Sequence, residues 1–190
     1  MKTKYFLLVL VLSSYTFGLQ AQIQTINTAK SSVSWLGKKI TGQHEGKIKI
    51  KSGSLEIKNN KISSGNFVID MNTISCSDLE DEGYNQKLVG HLKSDDFFGV
   101  GKFPNAILKI NNSSAFLNNV ASVKGQITIK GKTEDISFDV TNEKNTYSAK
   151  IEIDRSKFNV RYGSTSFFDT LGDKAIDDIF TLNIKLLTNN

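Results

Sequence analysis

The chain has 190 residues, enough for one domain around a sizeable core, and no repeat or linker divides it. Its 24 lysines and arginines outnumber its 19 acidic residues, but they are not clustered with aromatic side chains, which argues against a nucleic-acid-binding protein. The single cysteine, Cys76, excludes an intramolecular disulfide, so the fold must rest on its core, and we expect this thiol to be buried.

The N-terminal 21 residues have the three-part layout of a secretory signal. Lys2 and Lys4 precede an apolar run over residues 5–17, and a short segment ends at the small residue Ala21. We predict a signal peptide over residues 1–21, cleaved after Ala21, and a mature domain over residues 22–190. Cleavage removes two lysines and no acid, which leaves 22 basic against 19 acidic residues and a formal charge of +3.

A membrane anchor is the alternative reading of the same segment. The apolar run is shorter than the roughly 20 residues of a spanning helix, and three hydroxyl residues interrupt it. No cysteine follows it, which excludes lipidation at the cleavage site. We therefore expect a soluble mature protein, periplasmic or secreted, without an integral membrane segment.

Period-two alternation of apolar and polar residues recurs along the mature chain and predicts β-strands. The alternating segments are residues 31–38, 46–51, 54–58, 66–71, 106–110, 124–130, 136–140, 148–154 and 181–187. Turn residues at 51–53, 58–61, 130–132 and 142–145 indicate antiparallel hairpins. About eight such strands form either a barrel or a sandwich, and the pattern alone leaves both open.

Two segments interrupt the β pattern. Ser77 and Glu80 have the spacing of a capping box, and apolar residues recur after them at helical spacing, so we expect a helix over residues 78–93, which Gly83 could split. A second irregular segment, rich in phenylalanine, covers residues 167–176. We expect both to be crossovers that cap one end of the sheet.

Motifs for catalysis or metal binding give no positive signal. The two histidines, His44 and His91, lie in different segments without metal-site spacing. Gly131-Lys132-Thr133 resembles the end of a phosphate-binding loop, but Gln126 stands where that loop needs glycine. Paired carboxylates are adjacent in sequence, which is typical of caps and turns. We predict no metal, no cofactor and no enzymatic activity.

The inward faces of the predicted strands are large and apolar. They could fill a barrel completely, or they could line a lumen, because an eight-stranded barrel is near the size at which the interior either packs shut or holds one small ligand. Composition leaves both alternatives open.

Several separated motifs, in order along the chain, resemble those of the YceI-like family of exported lipid-binding barrels. They are Val33-Ser34-Trp35 with Thr41-Gly42-Gln43-His44-Glu45-Gly46, Phe67-Val68-Ile69-Asp70-Met71-Asn72-Thr73-Ile74, residues 91–98 with Phe103-Pro104, the hairpin at residues 123–133, and Ile153-Asp154-Arg155-Ser156-Lys157-Phe158. The chain departs from the family pattern at Gly99, where aspartate is usual, and at Asn159, where glycine is common.

The resemblance implies a mainly β fold, an antiparallel lipocalin-like β-barrel of about eight strands with one or two short helical crossovers capping an end. It also implies a periplasmic protein, often a homodimer, that sequesters a long isoprenoid or other lipid-like ligand in the lumen. Polar residues at the mouth would select the head group: His44, His91, Asp96, Arg155 and Tyr162. Apolar residues would line the lumen: Trp35, Phe67, Ile69, Met71, Phe97, Phe98, Ile127, Ile129, Phe138, Ile153 and Phe158.

Structural alternatives remain for these residues. Arg155 could form a strand-end ion pair with Asp154, His91 could simply end the helix, and Phe97 with Phe98 could plug the barrel.

Three functions stay open at this point. A lipid carrier predicts a long dry tunnel, a filled-core barrel that binds a partner or acts in stress predicts an exposed apolar patch, and an enzyme on a lipid-like substrate predicts a polar pocket with a shifted pKa.

Overall fold

The computed structural model describes residues 21–189, so the predicted signal peptide lies outside the described residues except for Ala21. The elements in chain order are β1 (Gln22–Thr25), β2 (Ser32–Lys39), β3 (Gly42–Lys58), β4 (Lys61–Cys76), α1 (Glu82–Lys93), β5 (Asn105–Ser113), β6 (Val120–Ile129), β7 (Lys132–Glu143), β8 (Thr146–Asp154), two short 3-10 segments (Arg155–Phe158 and Gly172–Lys174) and β9 (Ile179–Leu187). Within this part of the chain, no helix is long and apolar enough to cross a membrane.

The strands form a closed antiparallel barrel. Hydrogen-bonded neighbours run in the order β3-β2-β9-β8-β7-β6-β5-β4, and β4 pairs with β3 to close a ring of eight. β1 is an extra strand that adds to β3 beyond the end of β2, with Thr25 opposite Ser54. The predicted antiparallel barrel with short helical crossovers is confirmed, and the sandwich alternative is excluded.

One predicted turn is wrong. Residues 46–51 and 54–58 belong to the continuous strand β3 instead of two strands joined by a turn at 51–53. A β-bulge interrupts the register with β4 between Ile50 and Ser52. Gly53 permits close packing inside the strand, because a Cβ there would lie 2.7 Å from the Phe67 side chain and 2.9 Å from that of Ile26.

The other predicted turns are confirmed. Asn59-Asn60, Lys130-Gly131 and Lys144-Asn145 each join two neighbouring strands, and all six residues have φ between 46° and 75°. Two consecutive left-handed residues give the turn whose twist matches that of a hairpin.

Helix α1 begins later than predicted, at Glu82. Asp81 is its N-cap, and the Asp81 carboxylate accepts the backbone N–H of Tyr84 at 2.8 Å. The predicted capping box is wrong because Ser77 remains bound to β3, where its N–H donates to the carbonyl of Glu45. Gly83 lies in the first turn and does not split the helix.

The two ends of the barrel are built differently. The turn end carries the tight turns 59–60 and 144–145 and is filled by buried residues including Leu55, Ile62 and Val123. The crossover end carries the first crossover, residues 77–104, and the second crossover, residues 155–178. Side chains of both crossovers join the core at that end.

Candidate ligand-binding site

The barrel encloses an apolar cavity. Its empty volume is about 1420 Å³, counted with the space at its openings. Among the described residues that line it, Arg155 and Asp177 are the only charged ones. Trp35 and Tyr147 also line it, but their polar tips are hydrogen-bonded elsewhere, to the carbonyl of Ser75 and to the side chain of Gln24.

The lumen is not packed shut. On β9, the inward-facing residues Phe180, Leu182, Ile184 and Leu186 line the cavity, and each is only partly buried. By contrast, the inward-facing Val123 of β6, at the turn end, is completely buried. Because the β9 side chains point into the barrel, their remaining exposed area faces the cavity. An apolar cavity of this kind stays unfavourable to water, which finds few polar partners there.

Most of the predicted apolar residues lie around this cavity. Trp35, Phe67, Ile69, Met71, Phe97, Phe98, Ile127, Ile129 and Phe138 line it. Ile153 and Phe158 do not. They are 3% and 2% exposed and pack in the core cluster at the crossover end. No β9 residue was among the predicted lining residues, although the alternation over residues 181–187 indicated the inward-facing side chains of that strand.

Arg155 holds the second crossover in place. Its Nε–H donates to the carbonyl of Asp177, its Nη1 group donates to the carbonyls of Val160 and Tyr162, and its Nη2 group donates to the carbonyl of Ile176. Nη2 also lies 3.2 Å from Oδ1 of Asp178.

Four of the five guanidinium N–H donors are hydrogen-bonded to backbone carbonyl groups, and Nη2 also forms the ion pair with Asp178, so the group is committed to the second crossover. Burial lowers the pKa of Arg155, and Asp178 offsets part of that effect. The ion pair that Arg155 forms is therefore with Asp178. Asp154 instead caps the 3-10 segment by accepting the N–H of Ser156.

Lys130 joins the two crossovers, a role that the sequence analysis missed. Its ammonium group donates to the carbonyls of Asp95 and Phe97 in the first crossover, at 2.9 and 2.6 Å, and to that of Asn159 in the second, at 3.5 Å. Burial lowers the pKa of Lys130, and the nearby Asp95 partly opposes this. A lysine in a turn gave no sequence signal of such a contact.

Three other polar candidates, His91, Tyr162 and Asp96, do not line the cavity. The ring of His91 makes edge contacts with Tyr162, at 4.3 Å between centroids, and with Phe97, at 5.8 Å. His91 therefore contacts the cavity-lining Phe97, and neither His91 nor Tyr162 lines the cavity itself. Asp96 is exposed. Of the five polar candidates, all within the described residues, Arg155 alone lines the cavity.

His44, the fifth candidate, belongs to a separate cluster. Its Nδ1 lies 2.8 Å from Oδ2 of Asp78, whose Oδ1 accepts the N–H of Glu45 and the thiol of Cys76. Burial alone would raise the pKa of Asp78, but these hydrogen bonds outweigh it and lower the pKa to about 2. Cys76 is only partly buried, so the expectation of a buried thiol is wrong, since the strand ends there beside Asp78.

Replacing Asp78 with asparagine is expected to lower the free energy of unfolding by about 1–2 kcal/mol at pH 7. The folded pKa lies below that of the unfolded chain, so this stability is present above about pH 4 and is lost as the pH falls towards 2. Urea unfolding of both proteins from pH 7 to pH 2 measures the difference, which should shrink over that range. Asp169→Asn, at an exposed site, is the control, and a difference independent of pH would contradict the assignment.

Comparisons with known proteins agree with this architecture. A family model described as a YceI-like domain matches residues 24–187. The structure is similar to that of BcnA from Burkholderia cenocepacia, with a TM-score of 0.68 and 26% identity over 86% of this chain and 99% of that chain. No curated protein sequence matches the chain.

Two further solved structures share the fold. One is a polyisoprenoid binding domain from Saccharophagus degradans implicated in plant cell wall breakdown, with a TM-score of 0.58 and 11% identity over 87% of this chain and 97% of that chain. The other is a YceI protein from Campylobacter jejuni, with a TM-score of 0.51 and 23% identity over 68% of this chain and 74% of that chain. At these identities the likeness shows the fold alone.

Proposed function

The chain belongs to the YceI-like family, and from this premise we propose that it is a binding or carrier protein that holds one long apolar chain, an isoprenoid or another lipid-like tail, in its lumen. The observation that carries the proposal is the apolar cavity, into which the inward-facing residues of β9 point while remaining only partly buried. The polyisoprenoid binding domain of similar fold supports the same ligand class.

Burial of the tail supplies the affinity. Each methylene group that leaves water for the lumen contributes roughly 0.8 kcal/mol, so a chain with about ten buried carbons gains about 8 kcal/mol before ordering and association costs are subtracted. A polar group inside the lumen would lose its hydration and gain few partners, because the lining is almost entirely apolar and Arg155 already binds four backbone carbonyl groups and pairs with Asp178. Tail length therefore dominates affinity, and the head group stays outside.

Export is part of the proposal. The basic, apolar and small-residue segments of residues 1–21 support delivery to the periplasm, where a carrier can move lipid-like molecules without a membrane segment of its own. Cell fractionation that finds the full-length chain in the cytoplasm would contradict this location.

Mass spectrometry on an organic extract tests the ligand. The protein is purified from a bacterial periplasm without detergent, and an unrelated exported protein is extracted in parallel as the background. We expect one isoprenoid or acyl species in stoichiometric amount. The proposal fails if no such species is extracted and the protein takes up neither added quinone nor added polyprenyl lipid.

A further inference from the structure

Strands β7 and β8 are paired along only part of their length. Their ladder runs from Glu143 opposite Thr146 to Val140 opposite Ala149 and ends there. Residues 132–139 of β7 and 150–154 of β8 continue towards the crossover end without bridging each other. We call the boundary between these two unpaired stretches the seam. On their other sides both strands stay paired, β7 with β6 and β8 with β9. The seam is therefore a break in an otherwise continuous wall.

Side chains close the seam. Near the crossover end, the 3-10 segment Arg155–Phe158 packs against β7. Just beyond the last paired residues, Phe138 of β7 and Ile151 of β8 both line the cavity. At that level no backbone hydrogen bond between the two described strands separates the lumen from the exterior. Opening the wall there breaks no ladder of backbone hydrogen bonds, so it costs less than parting two paired strands.

A polar groove lies outside the barrel at the foot of the seam. Strand register places two rows of side chains across it: Ser32, Lys185, Ser148 and Thr141 in one, and Ser34, Asn183 and Lys150, followed by Asp139, in the other. Ala149 and Ile184 line both this groove and the lumen, so the two spaces are one strand layer apart. The ammonium group of Lys185 makes no ion pair or hydrogen bond with the residues that the structure describes.

The crossover end is braced more firmly. Arg155 binds four carbonyl groups and one carboxylate of the second crossover, and Lys130 binds carbonyl groups of both crossovers. Moving these segments apart would break several of these buried contacts, each of which leaves a polar group without a partner. The seam is thus the part of the wall that opens at the lower cost.

We propose that the seam is a lateral port, through which the apolar chain of an amphiphile enters the lumen between Phe138 and Ile151 while its anionic head group stays in the outer groove beside Lys185. This inference rests on the proposed function. It adds the route of entry and the position and charge of the head group. An amphiphile that enters sideways keeps its polar end hydrated throughout, so no charged group crosses the apolar lumen.

A reversible lock across the seam tests the route. Ser137→Cys with Glu152→Cys, in a Cys76→Ser background, places thiols on outward-facing positions of the two unpaired strands. Ser137→Cys with Lys124→Cys is the matched control, because those residues face each other across the paired strands β6 and β7. The probe is cis-parinaric acid, a polyene fatty acid that fluoresces in apolar sites. We expect the oxidised seam variant to take up the probe at least about tenfold more slowly, with recovery on reduction, and the control to be unaffected.

Removing the closing side chain gives a second measurement that needs no disulfide. Phe138→Ala should accelerate both uptake and release of the probe by about tenfold, because the seam loses the ring that closes it. Phe116→Ala removes the same ring from a position at the turn end that does not line the lumen, and should not accelerate exchange. Equal acceleration in the two variants would overturn the port.

Charge reversal tests the head-group position. Lys185→Glu should weaken binding of the carboxylate probe by about fivefold and leave the corresponding alcohol unchanged, while Lys124→Glu, outward-facing on β6, should change neither. Equal effects on acid and alcohol would overturn the head-group site.

Failure of the port and failure of the proposed function give different results. If the wild-type protein binds no parinaric acid, quinone or polyprenyl lipid, the proposed function itself fails. The port is wrong if the oxidised seam variant, its reduced form and Phe138→Ala all take up the probe at the same rate. In that case entry is through the crossover end, and the proposed function stands.

Discussion

Replacing Arg155 with methionine is expected to lower the free energy of unfolding by about 3–5 kcal/mol, the usual cost of removing one partner from a buried ion pair. Arg155 is 2% exposed, and methionine fills much of its volume without any donor. The variant leaves Asp178 without its cation and four carbonyl groups without their donor. The midpoint of urea unfolding, with an unchanged denaturant slope, measures the loss.

Lys157→Met is the matched control for that prediction. Lys157 lies in the same 3-10 segment as Arg155, carries the same charge and is exposed. Its replacement should change the free energy of unfolding by no more than about 0.5 kcal/mol. Similar losses in the two variants would show that charge, and not the buried contacts of Arg155, stabilises the crossover. An Arg155→Met protein of normal stability that had lost ligand binding would point to a head-group contact instead.

The role of Arg155 shows what the sequence could and could not predict. Alternation identifies the strands because an inward apolar row and an outward polar row are a local property of each strand. The partners of Arg155 are carbonyl groups 5 to 22 residues away and a carboxylate in the same crossover. Such partners depend on how irregular segments fold back, which no periodicity describes. A family motif could place Arg155 at the strand end, but it did not show that the side chain binds four carbonyl groups within its own crossover.

Strand pairing has the same limit. The alternation of residues 136–140 and 148–154 predicted two strands correctly, but it carries no information about where their ladder ends. The seam is therefore a tertiary property. It begins where the β7–β8 ladder ends, while β8 stays paired with β9 and continues into the second crossover. The β3 bulge and Gly53 are a similar case. Polar and glycine residues there indicated a turn, but the strand continues through them, and Gly53 lets Phe67 and Ile26 pack closely against it.

Narrowing the lumen is expected to have the largest effect on ligand binding. Ile48 and Leu108 both line the cavity and are only partly buried, so each has unfilled space in front of it. Ile48→Trp with Leu108→Trp displaces about four methylene groups of ligand, which corresponds to about 3 kcal/mol or a loss of about 200-fold in affinity for a long chain. Fluorescence titration with cis-parinaric acid measures this loss, and a series of shorter fatty acids should be affected progressively less.

The neighbouring residues provide the control, because alternation reverses the direction of the side chain at each step. Lys49→Trp with Lys109→Trp places the same two rings on the outer face of the same two strands, where both lysines are exposed. This variant should bind the probe like the wild-type protein. The inward variant should also unfold no more easily than the outward one, since its rings occupy space that is already empty. If both variants bind equally well, the chain lies outside the barrel. If only the inward variant loses affinity while remaining folded, the lumen is the binding site, and its free volume sets the length of tail that it holds.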